Sequence, residues 1–400
     1  MADRARRRIL CRRRALIVGL LTLILVAPAG PAARSLALGP AVVATASGSS
    51  GVTGVAFSPD GALMAGGYSD GTVRLWEVAT GQVYGLVLQA GSGPQGGVTG
   101  VAFNPGGTLL ATGDESGAIG LWNPIAGRSA GSSLQAGAVV NAVTFSPDGK
   151  LLASADANGT VQLWDVATGQ VHGLALAAGS SSPGGATGVA FSPDGTLLAV
   201  GYGDGQVRLW EVATGQPTGS SLQASANVTG VAFSPDGKLV AAGYGDGAVR
   251  LWDPVTGRLV GSPLQTGSGV TGVAFSPDGR LASSSENGTI VLWNAAAGRP
   301  ASSPLQAGAV VNAVAFSPDG KLLAAADANG AIKVWNTALG PGVDWVILLA
   351  SVLALVLAAA AVTITAREIW QARSGANTGS ALWKSCWWWP RWPSAWRCCT

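Results

Sequence analysis

Four hundred residues could hold two or three ordinary domains, or one large repeat-built domain with appendages. Charged residues are 11% of the chain and Gly fills 59 positions, a turn-rich apolar composition that excludes a coiled coil and a highly charged disordered polymer. A single histidine, His172, excludes a histidine-ligated metal cluster and most histidine acid/base chemistry, and four cysteines confined to positions 11, 386, 398 and 399 exclude a disulfide scaffold in the middle.

The first 35 residues read as a targeting segment. Residues 1–34 carry eight Arg against Asp3, a balance of +7. The thirteen-residue apolar run ALIVGLLTLILVA follows and ends in Ala27-Pro28-Ala29, which has the three parts of a signal peptide, with an uncleaved signal anchor as the alternative. The arginine pairs also resemble, weakly, a twin-arginine signal. Either way the chain beyond is expected outside the cytoplasm.

Residues 36–341 form the main body. Eleven Lys and Arg stand against eighteen Asp and Glu between the two basic ends, about −7, which argues against nucleic acid as a partner. The body opens with a short strand-like segment, Ala41 to Ala46, followed by seven repeats. The repeat reads, most visibly, V-x-x-V-x-F, an SPDG turn and, nineteen residues after the Phe, a Trp; the second unit has NPGG in the turn and the fourth begins with Ala186. The phenylalanines are Phe57, Phe103, Phe145, Phe191, Phe233, Phe275 and Phe316. The tryptophans are Trp76, Trp122, Trp164, Trp210, Trp252, Trp293 and Trp335, with one residue fewer in the sixth unit.

Four short strands fit each unit: VTGVAFSP, LLASA, a Gly-initiated TVRLWEV and a weaker GLVLQAG. SPDG supplies the first turn and a DG or NG pair the second, the strongest short hairpin signal. A lone four-stranded sheet of this composition cannot bury both faces, so the units must pack on one another around an axis. After Trp335 the seventh unit has no fourth strand, whereas Ala41 to Ala46 has no partner. The two are expected to pair and close the ring.

These units resemble the WD-repeat β-propellers, whose third strand ends in a Trp-Asp pair. Trp164-Asp165 and Trp252-Asp253 keep the dipeptide, Trp76 and Trp210 are followed by Glu, and Trp122, Trp293 and Trp335 by Asn. The resemblance implies an all-β, seven-bladed propeller that scaffolds protein contacts, with no cofactor and no small-molecule substrate. The family's Gly-His pair is absent, since His172 falls in a fourth strand. Its buried Asp-His-Ser/Thr-Trp chain therefore cannot form, and blade cohesion must rest on apolar packing. Asp70, Asp204 and Asp246 hold the acidic position of that chain; Ser116, Asn158, Asn287 and Asn329 replace it elsewhere.

In family geometry the second-to-third-strand turns and the blade-to-blade loops share one rim. Four extra residues lengthen the loops 89–98 and 177–186 on that side. The same rim is expected to gather Asp70, Asp114 with Glu115, Asp156, Asp204, Asp246, Glu286 and Asp327, beside Tyr68, Tyr202 and Tyr244. It would make a negative, partly aromatic docking face for a basic or polar protein partner. The other reading is that the acids solvate tight turns and the tyrosines pack between blades.

Other motifs carry less. Gly91-x-Gly93-x-x-Gly96 matches a dinucleotide fingerprint by letters, but contains Pro94 and opens no helix. Asn158, Asn227 and Asn287 begin glycosylation sequons, the first and third better explained as hairpin turns. No catalytic or metal-binding set stands out. The enzyme reading, a propeller hydrolase or lyase with a channel-bound cation, is the rival class, and a sensor or envelope-assembly component a third.

The body ends at 341. Within residues 342–366, Trp345 to Ala366 is uncharged for twenty-two residues, enough to span roughly 30 Å of hydrocarbon. Residues 343–400 carry five basic groups against Asp344 and Glu368, a balance of +3, and the basic groups follow the apolar run. Positive-inside bias therefore puts the tail in the cytoplasm and the propeller outside a cell membrane. The tail, residues 367–400, packs Trp, Cys and basic residues that suit a membrane interface or acylation; a disordered end or an out-of-register translation reads equally well.

Overall fold

A computed structural model describes residues 41–45, 50–91, 96–177 and 184–337. The leader, the apolar run at 345–366 and the tail lie outside the described residues. Among the described residues every regular element is a strand, and no helix is long and apolar enough to cross a membrane.

The seven repeats fold into seven antiparallel sheets, six of them meanders in sequence order and the seventh sharing a strand from the start of the chain. Blade 1 is typical: Val52–Phe57, Leu63–Tyr68, Thr72–Glu77 and Val83–Gln89. The first turn shows why SPDG recurs. Ser58 Oγ donates to Asp60 Oδ1 at 2.5 Å and accepts from the Leu63 N–H at 2.8 Å, while Asp60 Oδ1 also accepts from the Ala62 N–H. Gly61 sits at φ 71°, a left-handed conformation that disfavours any side chain. Blade 2 departs from the motif with Asn104-Pro105-Gly106-Gly107, where Asn104 Oδ1 accepts the Leu109 N–H at 2.9 Å.

First strands touch one another around the ring and so line its centre. Second strands are made of small residues because the next blade must come close. A Cβ on Gly67, Gly113, Gly201 or Gly243 would lie 2.5–2.6 Å from the first-strand valine of the following blade. The apolar core is accordingly divided between blades rather than within them. Each of seven buried clusters joins two neighbours; Trp164 of blade 3, for example, packs with Ile119, Leu121 and Leu134 of blade 2.

The seventh cluster closes the circle. Val52, Phe57, Tyr68 and Trp76 of blade 1 pack with Ala324, Ala326, Ile332 and Val334 of blade 7. The segment Ala41–Thr45 pairs antiparallel with Ala331–Asn336, Ala41 opposite Val334 and Thr45 opposite Ala331, so the first strand of the chain completes the last blade. A polar clasp adds to the packing. Each first strand bulges near its second residue, and in blades 1, 2, 3 and 7 that side chain bonds the next blade. Thr53 donates to the Val98 carbonyl, Thr99 to Val140, Asn141 to Ala186 at 2.8 Å and Asn312, across the closure, to Val52 at 2.8 Å.

Candidate functional site

The two ends of the ring differ in chemistry. On one rim lie the second-to-third-strand turns and the blade-to-blade connections, held together by bonds such as Glu115 N–H to Gly97 O and Ala90 N–H to Gly71 O. On the other lie the SPDG turns and the turns after each Trp, bonded through Val78 N–H to Ala62 O and Val212 N–H to Thr196 O. The chain leaves the last described strand on this second side, where Thr337 Oγ1 donates to the Gly320 carbonyl at 2.7 Å.

The expected rim residues separate into two columns. One is the last residue of the second strand: Tyr68, Asp114, Asp156, Tyr202, Tyr244, Ser285 and Asp327, all buried. The tyrosines are 0% exposed, so they supply packing and no docking surface. Burial pushes the Tyr68 and Tyr202 hydroxyls up to about 12 and raises that of Tyr244. An arginine from the third strand covers each ring: Arg74 at 4.5 Å, Arg208 at 5.6 Å and Arg250 at 4.4 Å from its centroid.

The buried acids in the same column tie the turn from inside. Asp114 Oδ1 accepts from the N–H groups of Ser116 and Ala118, Asp156 from Asn158 and Thr160, and Asp327 from Asn329 and Ala331. Those bonds place Asn158 firmly in a hairpin turn, and Asn287, whose Oδ1 accepts from Thr289 N–H, is placed likewise.

The second column and its neighbours face solvent. Asp70, Glu115, Asp246 and Glu286 are exposed and Asp204 is half-buried. Asp70 and Asp246 ion-pair with Arg74 and Arg250 at 3.8 and 2.7 Å. The Arg250 guanidinium holds the Asp246 carboxyl below the usual range. Among the described residues the rim therefore offers an acidic surface, with its three tyrosine rings buried.

Sequence reasoning missed the opposite mouth of the channel. There the phenylalanines and prolines of blades 1 to 5, with Asn104, Thr144, Ser146, Ser192 and Ser234, line an open cavity of about 310 Å³. The signal was present in the invariant F-S/N-P triplet, which ends each first strand at the channel mouth.

One further feature differs from expectation. Although the one histidine, His172, lies elsewhere, part of the buried polar chain survives: the indole N–H donates to Thr112 from Trp122 at 3.1 Å, to Ser154 from Trp164 at 2.9 Å and to Ser283 from Trp293 at 2.8 Å. Blade cohesion in those three blades is thus not apolar packing alone.

The sequence model described as "WD domain, G-beta repeat" matches residues 41–77, 86–123, 131–165, 176–211, 215–253, 259–294 and 303–336, together more than half of the chain. The chain belongs to the WD-repeat family. Comparison with curated proteins finds no match. The first family segment begins at residue 41, the strand that completes blade 7, so the matched span agrees with the closure of this WD-repeat ring. A WD-repeat propeller fits a protein-interaction scaffold, and proteins are the common partners of such rings. Among the described residues no three of His, Cys, Asp and Glu converge as metal ligands would.

Proposed function

We propose that this WD-repeat propeller is a non-catalytic scaffold tethered to a cell membrane, with the ring outside the cytoplasm and the basic tail inside. The observation that carries the docking part is the exposure of Asp70, Glu115, Asp246 and Glu286 on one rim while the acids beside them are buried in turns. Carboxylates left at the surface steer a basic or polar protein partner, and the rigid ring holds them in fixed relation. The tether rests on the uncharged run from Trp345 to Ala366 and the basic groups that follow it.

Charge reversal tests the rim. Glu115→Lys with Asp246→Lys should strip a cross-linked partner from the purified membrane fraction while leaving the fold intact by circular dichroism; full retention would remove this rim from consideration. Native cysteines test the topology. A membrane-impermeant maleimide applied to intact cells should label Ser225→Cys, in a rim loop, and reach Cys386, Cys398 and Cys399 only after permeabilisation. The reverse pattern would place the ring in the cytoplasm.

A further inference from the structure

We infer that the SPDG mouth of the channel is a second docking site, on the face opposite the acidic rim, and that it takes a peptide in which a bulky apolar side chain is flanked on both sides by cationic residues.

The cavity supplies the apolar part. Its apolar wall is Phe57, Phe103, Phe145, Phe191 and Phe233, each followed two residues later by a proline, with Asn104 or a serine between them at the polar edge. A volume of about 310 Å³ is at the small end of ligand pockets, roughly 300–1,000 Å³, and suits one or two side chains rather than a large cofactor. Phe57, Phe145, Phe191 and Phe233 are 7–9% exposed and packed on their other side in the cores between blades. The mouth is therefore preformed, and an incoming side chain orders little.

The charge around the mouth is uneven in a way that selects the flanking residues. Blades 3, 5 and 7 follow their SPDG turn with Lys150, Lys238 and Lys321, and blade 6 with Arg280. These bases pair with the turn aspartate at 3.5, 3.5, 3.0 and 2.9 Å respectively. Blades 1 and 4 carry Ala62 and Thr196 there instead. In those two blades the neighbouring turn adds Glu77 and Glu211, brought alongside by the Val78–Ala62 and Val212–Thr196 backbone bonds. Neither turn of blade 1 or blade 4 contains a Lys or Arg, so each is a pole of two carboxylates.

Hydrogen bonds from Ser58 and Ser192 hold Asp60 and Asp194 below the usual carboxylate range, which keeps both charged at neutral pH. Three steps apart in a ring of seven, blades 1 and 4 stand nearly opposite each other, with the phenylalanine-lined cavity between them. An extended segment crossing the mouth would set one cation at each pole and drop its apolar side chain into the centre.

The test uses the full chain in non-ionic detergent and three fluorescein-labelled peptides of one length: arginine–glycine–tryptophan–glycine–arginine, the same with alanine for tryptophan, and the same with glutamate for both arginines. Fluorescence anisotropy should give saturable binding of the first and at least tenfold weaker binding of the other two. Asp60→Asn with Asp194→Asn should weaken the first peptide at least tenfold while the circular dichroism spectrum stays that of the folded ring, because an asparagine Oδ1 can still accept from Ser58 Oγ and the Ala62 N–H in blade 1 and from Ser192 Oγ and the Thr196 N–H in blade 4. Ala190→Leu, which fills the cavity, should do the same. Glu115→Lys with Asp246→Lys, on the other rim, should leave this binding unchanged, which separates the site from the one proposed above. Equal binding of the three peptides, no effect of either mouth variant, or sensitivity to the rim pair would overturn the inference.

Discussion

Replacing Trp164 by Ala removes an indole that is 6% exposed and wedged between blades 2 and 3. Large-to-small changes of this kind cost about 3–5 kcal/mol, since the lost transfer energy adds to the cavity left behind. The Ser154 hydroxyl also loses the indole N–H at 2.9 Å, a bond worth about 1 kcal/mol. Against a typical total of about 5–15 kcal/mol, this is a third or more of the stability of an ordinary domain. Urea denaturation followed by circular dichroism measures it, with Ser154→Ala as the companion that deletes the bond and keeps the wedge, at an expected cost of about 1–2 kcal/mol. In a closed ring both variants should unfold in one transition at lower urea, because no blade has a free face from which to peel. A loss below about 1 kcal/mol for Trp164→Ala, or separate melting of a few blades, would mean that the indole does not wedge the blades into one cooperative ring.

Gly201→Ala places a Cβ 2.5 Å from Val228 Cγ1 and 3.1 Å from Val231 Cγ1, so it should destabilise the blade 4–5 junction by about 1–3 kcal/mol in the same assay. Deleting residues 41–45 uncovers the edge of Ala331–Asn336 and should lower the melting temperature sharply; an unchanged melt would mean that the strand does not fasten the ring. Acid should weaken the protein through its SPDG turns. Asp60, Asp148, Asp194 and Asp236 are held below their ordinary value by serine hydroxyls, and Asp319 at about 2. Groups lowered on folding contribute stability above their unfolded value, near 4, and lose it as pH falls through the folded one, so the melting temperature should drop between about pH 4 and pH 2. A flat profile across that window would argue that the turns are not holding these charges.

The ring was legible because its period is long and its punctuation strong. Constant Phe-to-Trp spacing, Gly at every hairpin and a last unit short of one strand are properties of the chain itself, and the pairing of Ala41–Thr45 with Ala331–Asn336 follows from counting strands. The rim was legible only in part. Tyr68 and Asp70 are two positions apart, yet Tyr68 ends a second strand buried on both faces while the turn exposes Asp70, and reading them together produced an aromatic surface that burial removes. Comparing the seven units column by column separates them, since Tyr68, Asp114 and Ser285 share one place and Asp70, Ser116 and Asn287 another. The Ser154–Trp164 bond was hidden for a different reason: its partners are ten residues apart on adjacent strands and meet only once the register sets Leu152 opposite Trp164. The phenylalanine mouth required closure, because no single repeat contains a cavity that five blades build together.

Projection images of the purified full chain, taken by electron microscopy down the ring axis, would count the blades and show whether the ring is closed. A closed annulus of seven wedges, with blade 7 seated against blade 1, is expected. An open arc, or a ring of six or eight, would contradict it.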